Sequence, residues 1–139
     1  MQIRPFQDSD EAAVIALWEA AGLTRPWNDP RKDIERKRLV QREWFLVGTE
    51  GDAVMAAIMI GYDGHRGAIN YLAVSPDHRK KGHARTLMRE AERLLTAAGC
   101  PKINLLVRTS NASVIAFYEA IGYGQDEVVS FGKRLIADE

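Results

Sequence analysis

The chain lacks most of the features that would mark a special environment. It has one cysteine, Cys100, in 139 residues, so no intrachain disulfide can form and a zinc site built on paired cysteines is excluded. No metal is expected. No apolar run approaches the roughly 20 residues that span a bilayer. Met1 leads directly into Gln2-Ile3-Arg4-Pro5, with no basic leader followed by an apolar stretch. A cytoplasmic protein without a membrane partner is the expectation. Charge of one sign is also missing: 19 Lys and Arg residues balance 19 Asp and Glu, so no global field favours nucleic acid, and any attraction for an anion must be local. Aromatic residues make up only 8% of the chain, and none interleaves with a basic run as a stacking platform for single strands would require. Internal repeats, low-complexity tracts and linker-like stretches are absent.

What remains suits one domain with a real core, spanning residues 1–139, with 46% hydrophobic and 27% charged residues. Ile3 to Phe6 reads as a first strand. Asp8-Ser9-Asp10 offers caps for an amphipathic helix carrying Val14, Leu17, Trp18 and Ala21, which Gly22 ends. Asp29 followed by Pro30 is an N-cap with proline at the first helical position, and a very basic helix is expected to run to about Arg42. Its acidic interruptions, Asp33 and Glu35, make it most simply a solvated face. Strands are expected over 44–49 and 53–60 around the turn Glu50-Gly51-Asp52, then over 68–74, a long helix over 79–98, a strand over 103–107, a helix capped by Asn111 and closed by Gly122, and a last strand over 128–135. The order places a hairpin and a βαβ unit around one mixed sheet, an α/β (α+β) architecture.

The densest chemistry lies between residues 72 and 87, Leu-Ala-Val-Ser-Pro-Asp-His-Arg-Lys-Lys-Gly-His-Ala-Arg-Thr-Leu. It reads as a strand, a Pro76 turn, a basic glycine-bearing loop and a helix start. A helix start turns unpaired N–H groups and its positive dipole end toward an anion. Gly82 and Ala84 carry little or no side chain to keep a pyrophosphate away. A solvated helix start explains the basic run equally well when it is taken alone. The segment resembles Arg/Gln-x-x-Gly-x-Gly/Ala, the acetyl-CoA pyrophosphate loop of the GNAT N-acetyltransferases, including the Ala-Val-x-Pro strand end ahead of it. A second stretch, Asn111-Ala-Ser-Val-Ile-Ala-Phe-Tyr118-Glu-Ala-Ile-Gly122-Tyr123, is similar to that family's Asn-x-x-Ala-x-x-Leu-Tyr-Glu-x-x-Gly-Phe signature, with Val114 in place of the usual alanine. Order and separation match, and the resemblance covers about the C-terminal half. As a whole the chain looks close to the small stand-alone bacterial members of the YpeA type.

The resemblance implies a GNAT fold in which two central parallel strands splay to admit acetyl-CoA. Arg79, Lys80, Lys81, Gly82, His83 and Ala84 would hold its pyrophosphate. The backbone of Leu72, Ala73 and Val74 would pair with the pantetheine arm as a partial extra strand, although by composition these three are ordinary sheet residues. Asn111 has two compatible readings, a helix cap and a hydrogen-bond partner of the pantetheine amide. Tyr118, two turns along nearly the same helical face, would sit beside the thioester sulfur as general acid, the alternative being a half-buried packing tyrosine. The resemblance further implies N-acetyl transfer by direct attack of a primary amine, small-molecule or protein. A non-catalytic acyl-CoA binding or sensing module is the alternative. Either a monomer or a homodimer is compatible.

A general base is not announced. Relatives that acetylate protein N-termini carry a glutamate where this chain has Leu106, which weakens that assignment. Asp63 or His65, in Tyr62-Asp-Gly-His-Arg66, can accept a proton directly or through water. The loop of Trp27, Asn28 and Asp29 stands where the family's first two helices meet over the acceptor, so Trp27 and Asn28 on one side and Asp63 and His65 on the other are expected as opposite walls of the amine pocket. Cys100, between helix and strand without a partner base, reads as a small semi-buried residue.

Overall fold

The computed structural model describes residues 1–138. Five strands form one sheet in the order β1-β2-β3-β4-β5: β1 Gln2–Pro5, β2 Phe45–Glu50, β3 Ala53–Tyr62, β4 Gly67–Val74 and β5 Ile103–Asn104. The first four are antiparallel neighbours; short turns join β2 to β3 and β3 to β4, whereas two helices lie between β1 and β2. The β4–β5 pair is parallel, and α3, His83–Ala97, supplies the crossover. Helices α1, Glu11–Ala20, and α2, Pro30–Arg38, precede β2, and α4, Ala112–Ala120, follows β5.

Alternation along the strands feeds two apolar clusters, one on each face of the sheet. On β3, Ala57 and Met59 join Val14, Leu17 and Trp18 of α1 and Ile34 of α2. The intervening Ala56, Ile58 and Ile60 join Leu87, Met88, Ala91 and Leu95 of α3 and Tyr118 of α4. Two buried faces explain why β3 reads as a continuous apolar run. At the start of β4, Gly67 makes room for α3: a β-carbon there would lie 2.9 Å from Leu95 Cδ1 and 3.1 Å from Cys100 Sγ. Cys100 thus packs as expected, half-buried against the sheet.

Two features set the shape of the sheet around β4. The parallel β4–β5 ladder consists of only Gly67↔Ile103 and Ala68↔Asn104, so beyond Ala68 one edge of β4 has no strand beside it. Within β4 the register to β3 slips: Ala57↔Ala73 is followed by Met59↔Asn70, three steps on β4 against two on β3. This is a β-bulge, centred on Tyr71, whose φ is +52°. Because of the extra residue, Ile69 packs with the α3 cluster while Tyr71 packs with the α1 cluster. In a regular strand the two would share one face.

Three expectations from sequence are corrected. Residues 128–135 form no strand: Phe131 is 93% exposed and Val128 78%. The segment is held at its ends by side chains, Asp126 by Lys102 and Asn104 and Asp138 by Arg36 and the Asp29 amide, and it lies against no pleated surface that β-branched residues could fit. The strand expected over 103–107 keeps its ladder only at 103–104, for the same reason that β4 has a free edge. Helix α2 stops at Arg38 instead of about Arg42, because Gln41 adopts a left-handed φ of 49°. Its side chain then pairs with the Tyr62 backbone, accepting from the amide at 2.9 Å and donating to the carbonyl at 3.0 Å.

Candidate active site

The basic loop after β4 is built as a helix start, with a single turn at Pro76–His78 carrying the chain to it. Lys80 (φ 62°) and Gly82 (φ 80°) both turn left-handed, and Gly82 is the N-cap of α3 without a side-chain cap. Only glycine takes this conformation at no steric cost. A β-carbon on Gly82 would meet no atom within 4 Å, so the loop faces open space. The first intrahelical bond is Thr86 N to Gly82 O, 3.0 Å, reinforced by Thr86 Oγ1 on the same carbonyl at 3.0 Å. The amides of His83, Ala84 and Arg85 therefore have no helical acceptor. With Arg79, Lys80 and Lys81 alongside, the residues fit a pyrophosphate. Leu72, Ala73 and Val74 lie on the part of β4 whose outer edge lacks a strand, and that edge leads straight to the loop.

Asn111 caps α4, accepting from Val114 N at 3.3 Å; the local reading of this residue is realised. Tyr118 is buried, with 9% of its surface exposed, and its ring packs edge-on against Phe117 and Tyr123 at 5.1 and 5.6 Å. Its hydroxyl has no hydrogen-bond partner among the described residues and is not sealed from solvent. Burial pushes the phenol up to about 12, because low-dielectric surroundings disfavour the phenolate. A neutral hydroxyl is therefore maintained at any physiological pH. Tyr118 belongs to the same cluster as Leu72 and Val74.

The two loops expected to wall the amine pocket lie toward opposite ends of α2. Trp27 lies before α2, with the Arg108 guanidinium 5.5 Å above its ring, and Asn28 accepts from Arg134 at 2.6 Å. Asp63 and His65 lie beyond the other end of α2 and at the closed start of β4, where Tyr62 Oη approaches the Gly99 carbonyl. Nine residues of α2 separate the two loops, about 14 Å at 1.5 Å per residue. Asp63 is moreover occupied as a turn cap: its Oδ1 accepts from the His65 and Arg66 amides, each at 2.7 Å. Those amides, Arg66 first, hold its carboxyl below the usual range, the wrong direction for a base.

Tyr71 and Asp33 carry no motif; sequence reasoning passed over Tyr71 and read Asp33 only as part of a solvated face. Tyr71 stacks on Trp18, centroids 3.9 Å apart and planes 19° apart, and donates to Asp33 Oδ2 at 2.6 Å. Asp33 Oδ1 accepts from Arg36 at 2.9 Å, and Arg36 reaches Asp138 Oδ1 at 2.6 Å. Burial, then the Asp33 carboxylate, raises the Tyr71 phenol well above its ordinary range. Only the non-glycine φ at a bulge, invisible in sequence, places this ring on the α1–α2 face.

At one edge of the mixed sheet the parallel strands β4 and β5 part beside the bare start of α3. The chain belongs to the acetyltransferase (GNAT) family, whose model matches residues 12–123. An acetyltransferase of Yersinia enterocolitica is 49% identical over 139 residues, covering 100% of this chain and 99% of the relative. Among solved structures, a possible acetyltransferase of Clostridium difficile superposes with a TM-score of 0.80 at 21% identity, covering 97% of each chain. AAC(6')-Iy in complex with the bisubstrate analogue CoA-S-monomethyl-acetylneamine superposes at 0.76 with 16% identity, covering 96% and 97%. Among the described residues no helix is long and apolar enough to cross a membrane, and no cluster of three metal-ligating side chains occurs.

Proposed function

We propose that this acetyltransferase moves the acetyl group of acetyl-CoA to a primary amine by direct attack. The observation that carries the reading is the free edge of β4 leading from Leu72 to the left-handed Gly82 and the unpaired amides of α3. The loop from Arg79 to Ala84 binds the pyrophosphate, the 72–74 backbone pairs with the pantetheine arm, and Asn111, its cap bond made, offers its amide to the same arm. The AAC(6')-Iy complex, a fold of this kind with a CoA-based bisubstrate analogue bound, supports acetyl-CoA as the donor.

In the reaction the amine lone pair forms a bond to the thioester carbonyl carbon and the C–S bond breaks. The sulfur takes the bonding electrons, and the surplus proton on nitrogen leaves to water. Tyr118 donates a hydrogen bond to the sulfur as negative charge develops. With the phenol near 12 and a thiol reference near ~8.5, the proton stays mostly on Tyr118, so the help is that of a strong donor more than of complete transfer. The loop of Trp27 and Asn28 borders the acceptor. Asp63 and His65, at the closed end of the sheet, have no part in this path.

The test is a panel of alkylamines, amino acids, polyamines and peptide N-termini incubated with acetyl-CoA, following free-thiol release. Amine-dependent release supports transfer. Tight acetyl-CoA binding with no release from any amine would favour a non-catalytic binding module.

A further inference from the structure

The proposed function leaves the amine without an anchor, and the bulge in β4 supplies a candidate. Tyr71 lies three residues past Ala68, the last residue of β4 paired with β5, about 10 Å along the strand. It therefore stands where the parallel strands have parted. The bulge turns its side chain to the α1–α2 face, while Tyr118 packs on the α3–α4 face, so the two rings lie on opposite faces of β4 at the opening. A non-glycine residue at φ +52° is costly and persists only where its surroundings hold it. Here Trp18 clamps the ring and Asp33 holds the hydroxyl. Core packing would need the stacked ring and not the hydroxyl. The pair is not sealed off, since the Asp33 side chain retains 23% of its exposure. Next to it the indole Nε1–H of Trp18 is buried without a partner, a second polar atom that the fold leaves unused.

We infer that Tyr71 Oη anchors the acceptor amine by accepting one of its N–H bonds, and that Asp33 is the positioning residue that makes Tyr71 an acceptor. A hydroxyl has one proton and two lone pairs. The 2.6 Å bond commits the proton to Asp33 Oδ2, leaving only lone pairs for a ligand. An amine bound there donates N–H to Tyr71 and keeps its own lone pair free once it is neutral. Arg36, bridging Asp33 and Asp138, holds the carboxylate in this orientation. The selected ligand is a hydrogen-bond donor such as an amine nitrogen, and a group that can only accept is disfavoured at this atom.

The inference rests on acetyl-CoA lying in the β4–β5 opening, and the experiment separates the two. The bare amine is the recognised element, so ethylamine serves as probe. Acetyl-CoA thermal shifts and kcat/KM for ethylamine are measured for wild type, Tyr71→Phe, Asp33→Asn and the double variant. Tyr71→Phe keeps the stacked ring and loses one neutral hydrogen bond. Its kcat/KM for ethylamine falls roughly 3- to 10-fold, while the acetyl-CoA shift stays unchanged. Asp33→Asn lowers the same constant, and in the Tyr71→Phe background it has no further effect, because it acts through the hydroxyl. Unchanged kcat/KM in Tyr71→Phe, additive losses in the double variant, or a wild type that binds acetyl-CoA yet leaves ethylamine untouched would each overturn the anchor. Absence of any acetyl-CoA shift in wild type would overturn the cofactor path first.

Discussion

Tyr118→Phe deletes a single oxygen at the centre of the proposed mechanism, and its expected consequences can be worked out separately for stability, binding and rate. The ring is buried and packed against Phe117 and Tyr123, and phenylalanine preserves those contacts. The hydroxyl has no protein partner among the described residues, so no intramolecular hydrogen bond is lost, and stability should change by less than about 0.5 kcal/mol. Acetyl-CoA affinity should likewise hold, since the pyrophosphate and pantetheine contacts lie elsewhere. The rate should fall. General acid catalysis contributes ~10² to 10⁴, and a thiolate that leaves well unaided, facing a donor that keeps its proton, places the expectation near the lower end, about 10². Burial pushes this phenol up to about 12, so the donor form persists across pH 6 to 9 and the variant should be slower by a constant factor throughout. The assay is free-thiol release under saturating acetyl-CoA, with thermal unfolding as a control for fold and binding. Wild-type turnover in the variant would refute the role of the hydroxyl. Parallel loss of binding and turnover would mark Tyr118 as a packing residue.

Other outcomes follow from the same geometry. Asp10 is buried and accepts from Arg4 at 2.7 and 2.9 Å and from the Gln7 amide at 2.8 Å, so Asp10→Asn should cost about 2 kcal/mol in denaturant unfolding. Arg4 above all holds that carboxyl below its ordinary 3.8; its contribution is present above pH ~4 and lost as pH falls through the folded value, and a wild-type stability flat from pH 5 to 2 would contradict this. At the alkaline end, Tyr71, Tyr118 and Tyr123 are all raised above 10; raised phenols favour the folded state until they ionise, so the melting temperature should drop as pH climbs above ~10 and stay insensitive to these groups below it. Gly67→Ala drives a β-carbon into Leu95 and Cys100 and should destabilise by roughly 1–3 kcal/mol, whereas unchanged stability would mean that α3 can shift off the sheet freely.

The parts of the site legible in sequence are those built from local chemistry. Asp29 with Pro30 and Asn111 each start the helix they were expected to start, because capping is decided within four residues. The Gly82 loop is legible for the same reason: a positive φ at a helix start needs glycine, and glycine is visible. Tyr71 shows the converse. Ile69-Asn70-Tyr71-Leu72 alternates like any strand, and nothing in it says that a bulge will turn the tyrosine to the other face; that follows from the pairing of β3 with β4, a long-range property. The 128–135 segment failed in the opposite sense, having the composition of a strand but pairing with none of the sheet's edges. The pairing of Asp63 with Trp27 assumed that both loops border one cleft, whereas α2, Pro30–Arg38, lies between them, a spacing that local sequence does not reveal.

The central claim is that the free edge of β4 and the start of α3 together hold acetyl-CoA. The direct measurement is the thermal unfolding of wild type and Gly82→Glu with and without acetyl-CoA. At about a hundred times its dissociation constant a ligand adds roughly 2.7 kcal/mol, about 8 °C for a chain of this size. Glutamate at Gly82 projects into the open space before the amides of His83 and Ala84, bringing like charge against the pyrophosphate. The variant's own melting temperature falls modestly from the left-handed φ. The account predicts a shift of that order in wild type and almost none in Gly82→Glu. An equal shift in a folded Gly82→Glu variant, or none in wild type, would contradict it.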